Sequence, residues 1–117
     1  MFRFENLDIW NRAADVALKL FDIADELEAK RKYRFAEQLR GAALSTPNNI
    51  AEGSGSTSDK DFIHFLNIAR RSTFESANML MIFGRKSLIS PNHLTPLIAE
   101  LDELCRMITA FARSLRF

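Results

Sequence analysis

The side chains of this sequence that could carry out enzyme chemistry are few: His64, His93 and a lone cysteine, Cys105. Asp61 and His64 have an Asp-x-x-His spacing, which places both side chains on one helical face. Helical bundles that bind two metal ions need two Glu-x-x-His pairs on facing helices, so this single pair is incomplete. We therefore expect His64 and His93 to be solvated surface residues.

Cys105 lies in an apolar helical pattern with no histidine near it in sequence, which indicates a buried structural thiol. A single cysteine forms neither an intramolecular disulfide nor a thiolate metal site. The run Gly-Ser-Gly-Ser-Thr-Ser at 53–58 lacks the Lys-Ser or Lys-Thr ending of a phosphate-binding loop, since Lys60 stands between two aspartates. We expect no catalytic residue, no cofactor and no metal, and hence no enzyme.

The elements that position these residues are helices, because apolar residues recur at steps of three and four in four segments. The spacing predicts helices at about 7–28, 33–52, 59–85 and 91–115. No segment alternates with the period of a strand. Four amphipathic helices joined by short turns predict an all-α, antiparallel up-down-up-down four-helix bundle that forms a single domain, 1–117.

Polar residues mark the predicted helix starts. Asn6 is the expected N-cap of the first helix, and Ser58 with Asp61 resembles a capping box for the third. The Ser-Pro pair at 90–91 predicts the start of the fourth helix, with the Thr-Pro pair at 95–96 as a competing start.

Pro47 interrupts the pattern of the second helix, because proline cannot donate to the carbonyl of Ala43. The apolar phase nevertheless continues from Ala43 through Thr46 to Ile50. This continuity favours one kinked helix over two separate pieces.

Several polar residues near this proline form a candidate structural cluster with a glutamate of the third helix: Arg40, Asn48, Asn49, Glu52 and Glu75. A buried charge needs a partner, so we expect Arg40 to pair with Glu52 or Glu75, inside the bundle or at a subunit contact. A polar pocket is the functional alternative.

Four cations surround the predicted turn between the first two helices: Lys30, Arg31, Lys32 and Arg34. These residues, the basic cluster, have two interpretations. Positive charge complements the negative end of the first helix dipole, and the same charges also make a candidate nucleic-acid-binding patch.

Composition limits the remaining choices. Sixteen Lys and Arg against fifteen Asp and Glu give a net charge of +1, which excludes a uniformly basic nucleic-acid binder. The N-terminal residues lack a signal-peptide pattern, and no apolar run approaches the roughly 20 residues of a membrane span. We expect a cytoplasmic protein with no membrane partner.

The third helix carries a second apolar set in addition to its core face: Ile63, Phe74, Met81 and Ile82. A small bundle on its own would leave these side chains in water, and contiguous exposed apolar surface usually marks an interface. The pattern therefore predicts self-association.

Three segments carry a resemblance to a known family: FENLDIW at 4–10, QLRGAALSTPNNIAEG at 38–53 and DFIHFLNIAR at 61–70. They resemble the four-helix-bundle family of 23S rRNA intervening-sequence proteins. The resemblance implies a bacterial cytosolic bundle that assembles into a ring-shaped homopentamer and has no catalytic residues. The chain is also similar to accessory proteins of diversity-generating retroelements, whose pentamers present basic surface to nucleic acid and bind a reverse transcriptase.

We expect a non-enzymatic oligomeric scaffold or adaptor whose partners are copies of itself and RNA or an RNA-handling protein. Repetition of the basic cluster around a ring would multiply a modest patch into several phosphate contacts. The alternative is a protein-binding module without nucleic acid, which uses the apolar surface of the third helix or the terminal residues Phe2, Phe4 and Phe117.

Overall fold

The computed structural model describes residues 1–116, in which a short 3-10 helix, Arg3–Asn6, precedes four α-helices. The helices are α1 (Asp8–Ala29), α2 (Tyr33–Ser54), α3 (Asp59–Arg85) and α4 (Pro91–Ser114). The all-α prediction is confirmed, since these 116 residues contain no strand. The helices form a bundle that measures 46 × 22 × 19 Å.

The helix starts follow local hydrogen bonding. Ser58 Oγ accepts from the backbone N–H of Asp61 over 3.1 Å at the start of α3, as the capping pattern predicts. Pro91 occupies the first turn of α4 directly after Ser90, so the Ser-Pro start is the one used. The Asn6 prediction is wrong, because Asn6 ends the 3-10 helix and Leu7 precedes α1.

One hydrophobic core joins all four helices. Its largest fully buried apolar side chains are Leu20, Leu27, Leu39, Ile50, Phe62, Leu66, Leu80, Leu104 and Ile108. Helix α2 packs against α1 and α3, and α4 packs against α3 and α1. The rings of Phe62 and Phe111 lie 5.5 Å apart across the contact between α3 and α4. Burial of this apolar surface is the main driving force for the fold.

Helix α2 continues through Pro47 without a break, and Pro47 is itself buried. Hydroxyl groups beside the proline face hydroxyl groups of α3. Ser45 Oγ lies 2.7 Å from Ser72 Oγ, and Thr46 Oγ1 lies 3.3 Å from Thr73 Oγ1. Small polar side chains therefore fill this part of the contact between α2 and α3.

Gly53 allows α2 to approach α3 closely. A Cβ atom on Gly53 would lie 2.8 Å from Phe62 Cδ1 and 2.8 Å from Phe65 Cβ. A Cβ atom on Gly41 of the same helix would meet no atom within 4 Å. Glycine at position 53 is therefore required for packing, since no glycine of the chain has a positive φ.

No helix in residues 1–116 combines the length and the apolar character that a membrane crossing requires.

Candidate functional site

The basic cluster lies at the turn between α1 and α2, and all four of its side chains are exposed. Lys30 Nζ donates to the carbonyl oxygen of Leu88, which ties this lysine to the segment before α4. Arg31 has a left-handed backbone with φ 63°. Within residues 1–116 the cluster forms no ion pair, so the charges of Arg31, Lys32 and Arg34 face solvent.

Arg40 does not pair with Glu52 or Glu75 within the protomer, which corrects the sequence-based expectation. Its Nη2 lies 2.7 Å from Asp25 Oδ1, and its Nη1 lies 3.2 Å from Glu28 Oε1. These hydrogen bonds raise the pKa of Arg40 above its usual value. Twelve residues separate Arg40 from Glu52, which is about 120° around a helix of 3.6 residues per turn. Arg40 therefore faces α1.

The rest of the predicted polar cluster divides into inward and outward residues. Asn49 Nδ2 donates to the carbonyl oxygen of Ser45 over 2.8 Å and lies 3.0 Å from Ser45 Oγ, which links it to Ser72 of α3. Asn48 and Glu52 on α2 and Glu75 on α3 are exposed. The structure therefore connects Asn49 to α3 and leaves the two glutamates without ion pairs in the described chain.

The candidate acid, base and nucleophile residues lie in different surroundings. His64 is exposed, and His93 Nδ1 lies 3.1 Å from Glu26 Oε2, a partner that the sequence did not indicate. Cys105 is buried, and burial raises the pKa of its thiol, with a smaller opposing effect from Arg70. The described residues contain no group of three His, Cys, Asp or Glu side chains that could hold a metal ion.

Exposed apolar side chains lie on α3, as the second apolar set predicts. Phe74, Met81 and Ile82 are 57%, 50% and 54% exposed, while Ile63 is half-buried. Phe74 and Met81 border a groove of about 320 Å³ between α3 and α4, with Ile98 on its opposite side. These residues form what we call the α3 apolar surface: Ile63, Phe74, Met81 and Ile82.

The N-terminal aromatic residues form a small stack on the bundle. The rings of Phe2 and Phe4 lie 5.5 Å apart, and the rings of Phe4 and Trp10 lie 4.9 Å apart. Phe2 remains exposed, whereas Phe4 is half-buried. Phe117, the third terminal aromatic residue of the sequence analysis, lies outside the described residues.

A cavity that the sequence analysis missed lies between α3 and α4. It has a volume of about 540 Å³, and its polar lining consists of His64, Asn67, Arg70, Thr109, Arg113 and Arg116. In the sequence, Arg113 and Arg116 look only like cations that complement the α4 dipole. Their proximity to Arg70 on α3 indicates the cavity. That proximity is apparent only when α3 and α4 are known to be adjacent.

Comparison with known proteins identifies the family. Residues 5–110 match the family described as 23S rRNA-intervening sequence protein. A similar solved structure is the crystal structure of a protein with unknown function from the S23 ribosomal protein family of Bacteroides thetaiotaomicron. It shares 20% sequence identity, and the alignment covers 89% of this chain and 97% of that chain with a TM-score of 0.84. A search of curated proteins finds no match. Because the family match spans most of its length, the chain belongs to the 23S rRNA-intervening sequence protein family.

Proposed function

We propose that the protein is a non-enzymatic cytoplasmic scaffold or adaptor that assembles into a ring of five copies and binds RNA or an RNA-handling protein. The observation that carries this proposal is the α3 apolar surface. Three large side chains of one helix are at least half exposed in the isolated chain. Exposed apolar side chains grouped on one helix are typical of an interface and cost free energy when they stay in water. The number five rests on the family.

The proposed protomer is an antiparallel up-down-up-down bundle with a kink in α2 at Pro47. The pairs of contacting residues support the antiparallel order. Phe35, at the start of α2, lies with its ring 5.4 Å from that of Phe83, at the end of α3. Gly53, at the end of α2, adjoins Phe62, at the start of α3. A proline inside a helix removes one backbone hydrogen bond and commonly bends the axis.

Sedimentation tests the assembly. We expect the wild-type protein to sediment as an oligomer at micromolar concentration. Met81→Lys should shift it towards the monomer, because the substitution places a charge in a surface that is desolvated by assembly. Ala99→Lys is the matched control, since it adds the same charge at an exposed position of α4. A wild-type particle of 13.4 kDa would refute the proposed ring.

RNA binding is assigned to the basic cluster. One protomer has four such cations, and for single-stranded RNA the logarithm of the binding constant falls with the logarithm of salt by about 0.7 for each phosphate neutralised. Four contacts therefore predict a slope of about −3, and contacts from neighbouring copies make it steeper. Alanine at all four positions should remove most of the binding measured by fluorescence anisotropy, whereas Lys60→Ala should not. Binding that is absent from the wild type or independent of salt would refute the assignment.

The second candidate is a protein-binding module without nucleic acid. The exposed ring of Phe2, stacked on Phe4, favours it, because aromatic side chains commonly anchor protein interfaces. Partners that stay bound in pull-downs at high salt and after nuclease treatment would support this candidate. Their loss after nuclease treatment would favour the RNA-binding scaffold instead.

A further inference from the structure

The cavity between α3 and α4 is lined by several basic residues and by no carboxylate of residues 1–116. Its lining residues include three arginines, Arg70, Arg113 and Arg116, together with His64. None of the lining residues is an aspartate or glutamate. Like charges that line one cavity repel one another, and a bound anion would reduce the repulsion. The volume of the cavity, about 540 Å³, is within the range of small-ligand sites.

Arg70 is the residue that most directly indicates a missing ligand. Its guanidinium lies over the ring of Phe74, with Cζ 4.9 Å from the ring centroid, which fixes the group in place. Its Nε atom is buried and makes no hydrogen bond with any described residue. Buried donors without a partner are rare in folded proteins, because each one loses its bond to water. Arg70 also lines the cavity, so an oxygen acceptor that displaces the atoms covering Nε from that side would supply the missing bond.

The surrounding carboxylates do not provide that acceptor. Asp102 lines the adjoining cavity, which also contains Arg70 and Arg113. Its Oδ2 atom lies 2.9 Å from Arg106 Nη2, one helical turn further along α4. Arg113 and Arg116 form no ion pair within residues 1–116. The three arginines of the cavity therefore have no ion-pair partner in the described part of the protomer.

We propose that this cavity binds a phosphate group through Arg70, Arg113 and Arg116. Phosphate fits the donors better than other anions do, because its tetrahedral oxygens accept from several guanidinium groups at once, including in bidentate pairs. Asn67 adds an amide donor on α3. The phosphate comes either from a free nucleotide or from the backbone of an RNA strand. The site shares no residue with the basic cluster, so it can be tested separately from RNA binding there. Ile63 belongs both to the cavity lining and to the α3 apolar surface, so the cavity adjoins the proposed subunit contact.

Binding can be measured on the full chain with three phosphate compounds: inorganic pyrophosphate, uridine 5′-monophosphate and an oligouridine RNA. Isothermal titration at matched ionic strength gives the affinity of each compound. Arg70→Gln and Arg113→Gln should each weaken binding by about tenfold, the effect of losing one charge-assisted hydrogen bond. Arg85→Gln, an exposed arginine of α3 outside the cavity, should bind as the wild type does. Circular dichroism checks that each variant keeps its helices.

The pattern of binding identifies the source of the phosphate. Binding of pyrophosphate and the mononucleotide with loss in both cavity variants supports a free-nucleotide site, and binding of only the oligonucleotide with the same loss supports an RNA-backbone site. If no compound binds, or if the cavity variants bind as tightly as Arg85→Gln, the proposal is wrong. The proposal is also wrong if Arg70→Gln changes the sedimentation of the protein but not its affinity for any of the three compounds. The cavity is then a contact between subunits.

Discussion

Two glycines of α2 provide a sharp test of how closely α2 and α3 pack, since the same substitution should have opposite effects at the two positions. Gly41→Ala adds a methyl group where no atom lies within 4 Å. Alanine stabilises a helix relative to glycine by about 0.8–1.0 kcal/mol. We therefore expect Gly41→Ala to raise the free energy of unfolding by about that amount, and the unfolding midpoint by about 4 °C.

Gly53→Ala gains the same helical propensity but meets packed atoms. The new Cβ would lie 2.8 Å from Phe62 Cδ1, a ring atom in the core, and equally close to Phe65 Cβ, which the α3 backbone holds in place. Neither atom is the end of a flexible side chain, so the helices must separate. Overpacking of this kind costs about 1–3 kcal/mol, which exceeds the propensity gain and leaves a net loss of about 1 kcal/mol.

The assay is thermal or urea unfolding at one fixed protomer concentration, because assembly makes stability depend on concentration. We expect the two variants to differ by about 2 kcal/mol, or about 8 °C in midpoint. Equal stability of the two variants would contradict the argument, since it would show that α2 and α3 have room for a methyl group at position 53. Gly53→Ala combined with Phe62→Leu serves as a check, because the smaller side chain should relieve part of the strain.

Three further predictions concern single side chains. Ser76, buried with its hydroxyl donating to the carbonyl oxygen of Ser72, should tolerate alanine with a loss below about 1 kcal/mol, whereas Ser76→Leu should lose about 1–3 kcal/mol in urea unfolding. Because burial raises the pKa of Cys105, the unfolded chain loses its thiol proton first. Stability should therefore fall as pH rises above the ordinary thiol value, and Cys105→Ala should flatten that profile; an unchanged profile would contradict the shift. Arg40→Gln should lower the unfolding midpoint slightly at low salt and not at about 1 M salt, since its two ion pairs are exposed and screened; a loss that persists at high salt would point to a packing role.

The helices could be predicted from the sequence because the spacing of apolar residues along each helix does not depend on how the helices pack against one another. The structure begins α3 at Asp59 and ends it at Arg85, at the predicted limits, and extends α2 by one half-turn to Ser54. The Ser58 cap was predictable because donor and acceptor are three residues apart. The role of Asn6 was not predictable, because Asn6 belongs to a 3-10 helix that the periodicity does not reveal.

Contacts between helices were harder to predict, because they depend on the rotation of each helix about its axis. The sequence marked Arg40 as a charge that needs partners but placed them on α2 or α3, whereas the partners are Asp25 and Glu28 of α1. The arginine-lined cavity escaped notice for the same reason. Arg70 and Arg113 are 43 positions apart in sequence, and only the pairing of α3 with α4 brings them to one cavity.

At Arg31 the backbone conformation and the exposed side-chain charge favour different residue types. A residue with a side chain at φ 63° is strained by about 1 kcal/mol relative to glycine, which adopts this conformation freely. Replacing Arg31 by glycine should therefore relieve the backbone strain in the turn, but it also removes a solvent-facing charge. Selection for thermal stability alone should therefore favour glycine at position 31. If selection for activity retains arginine there, its charge contributes to the function of the protein.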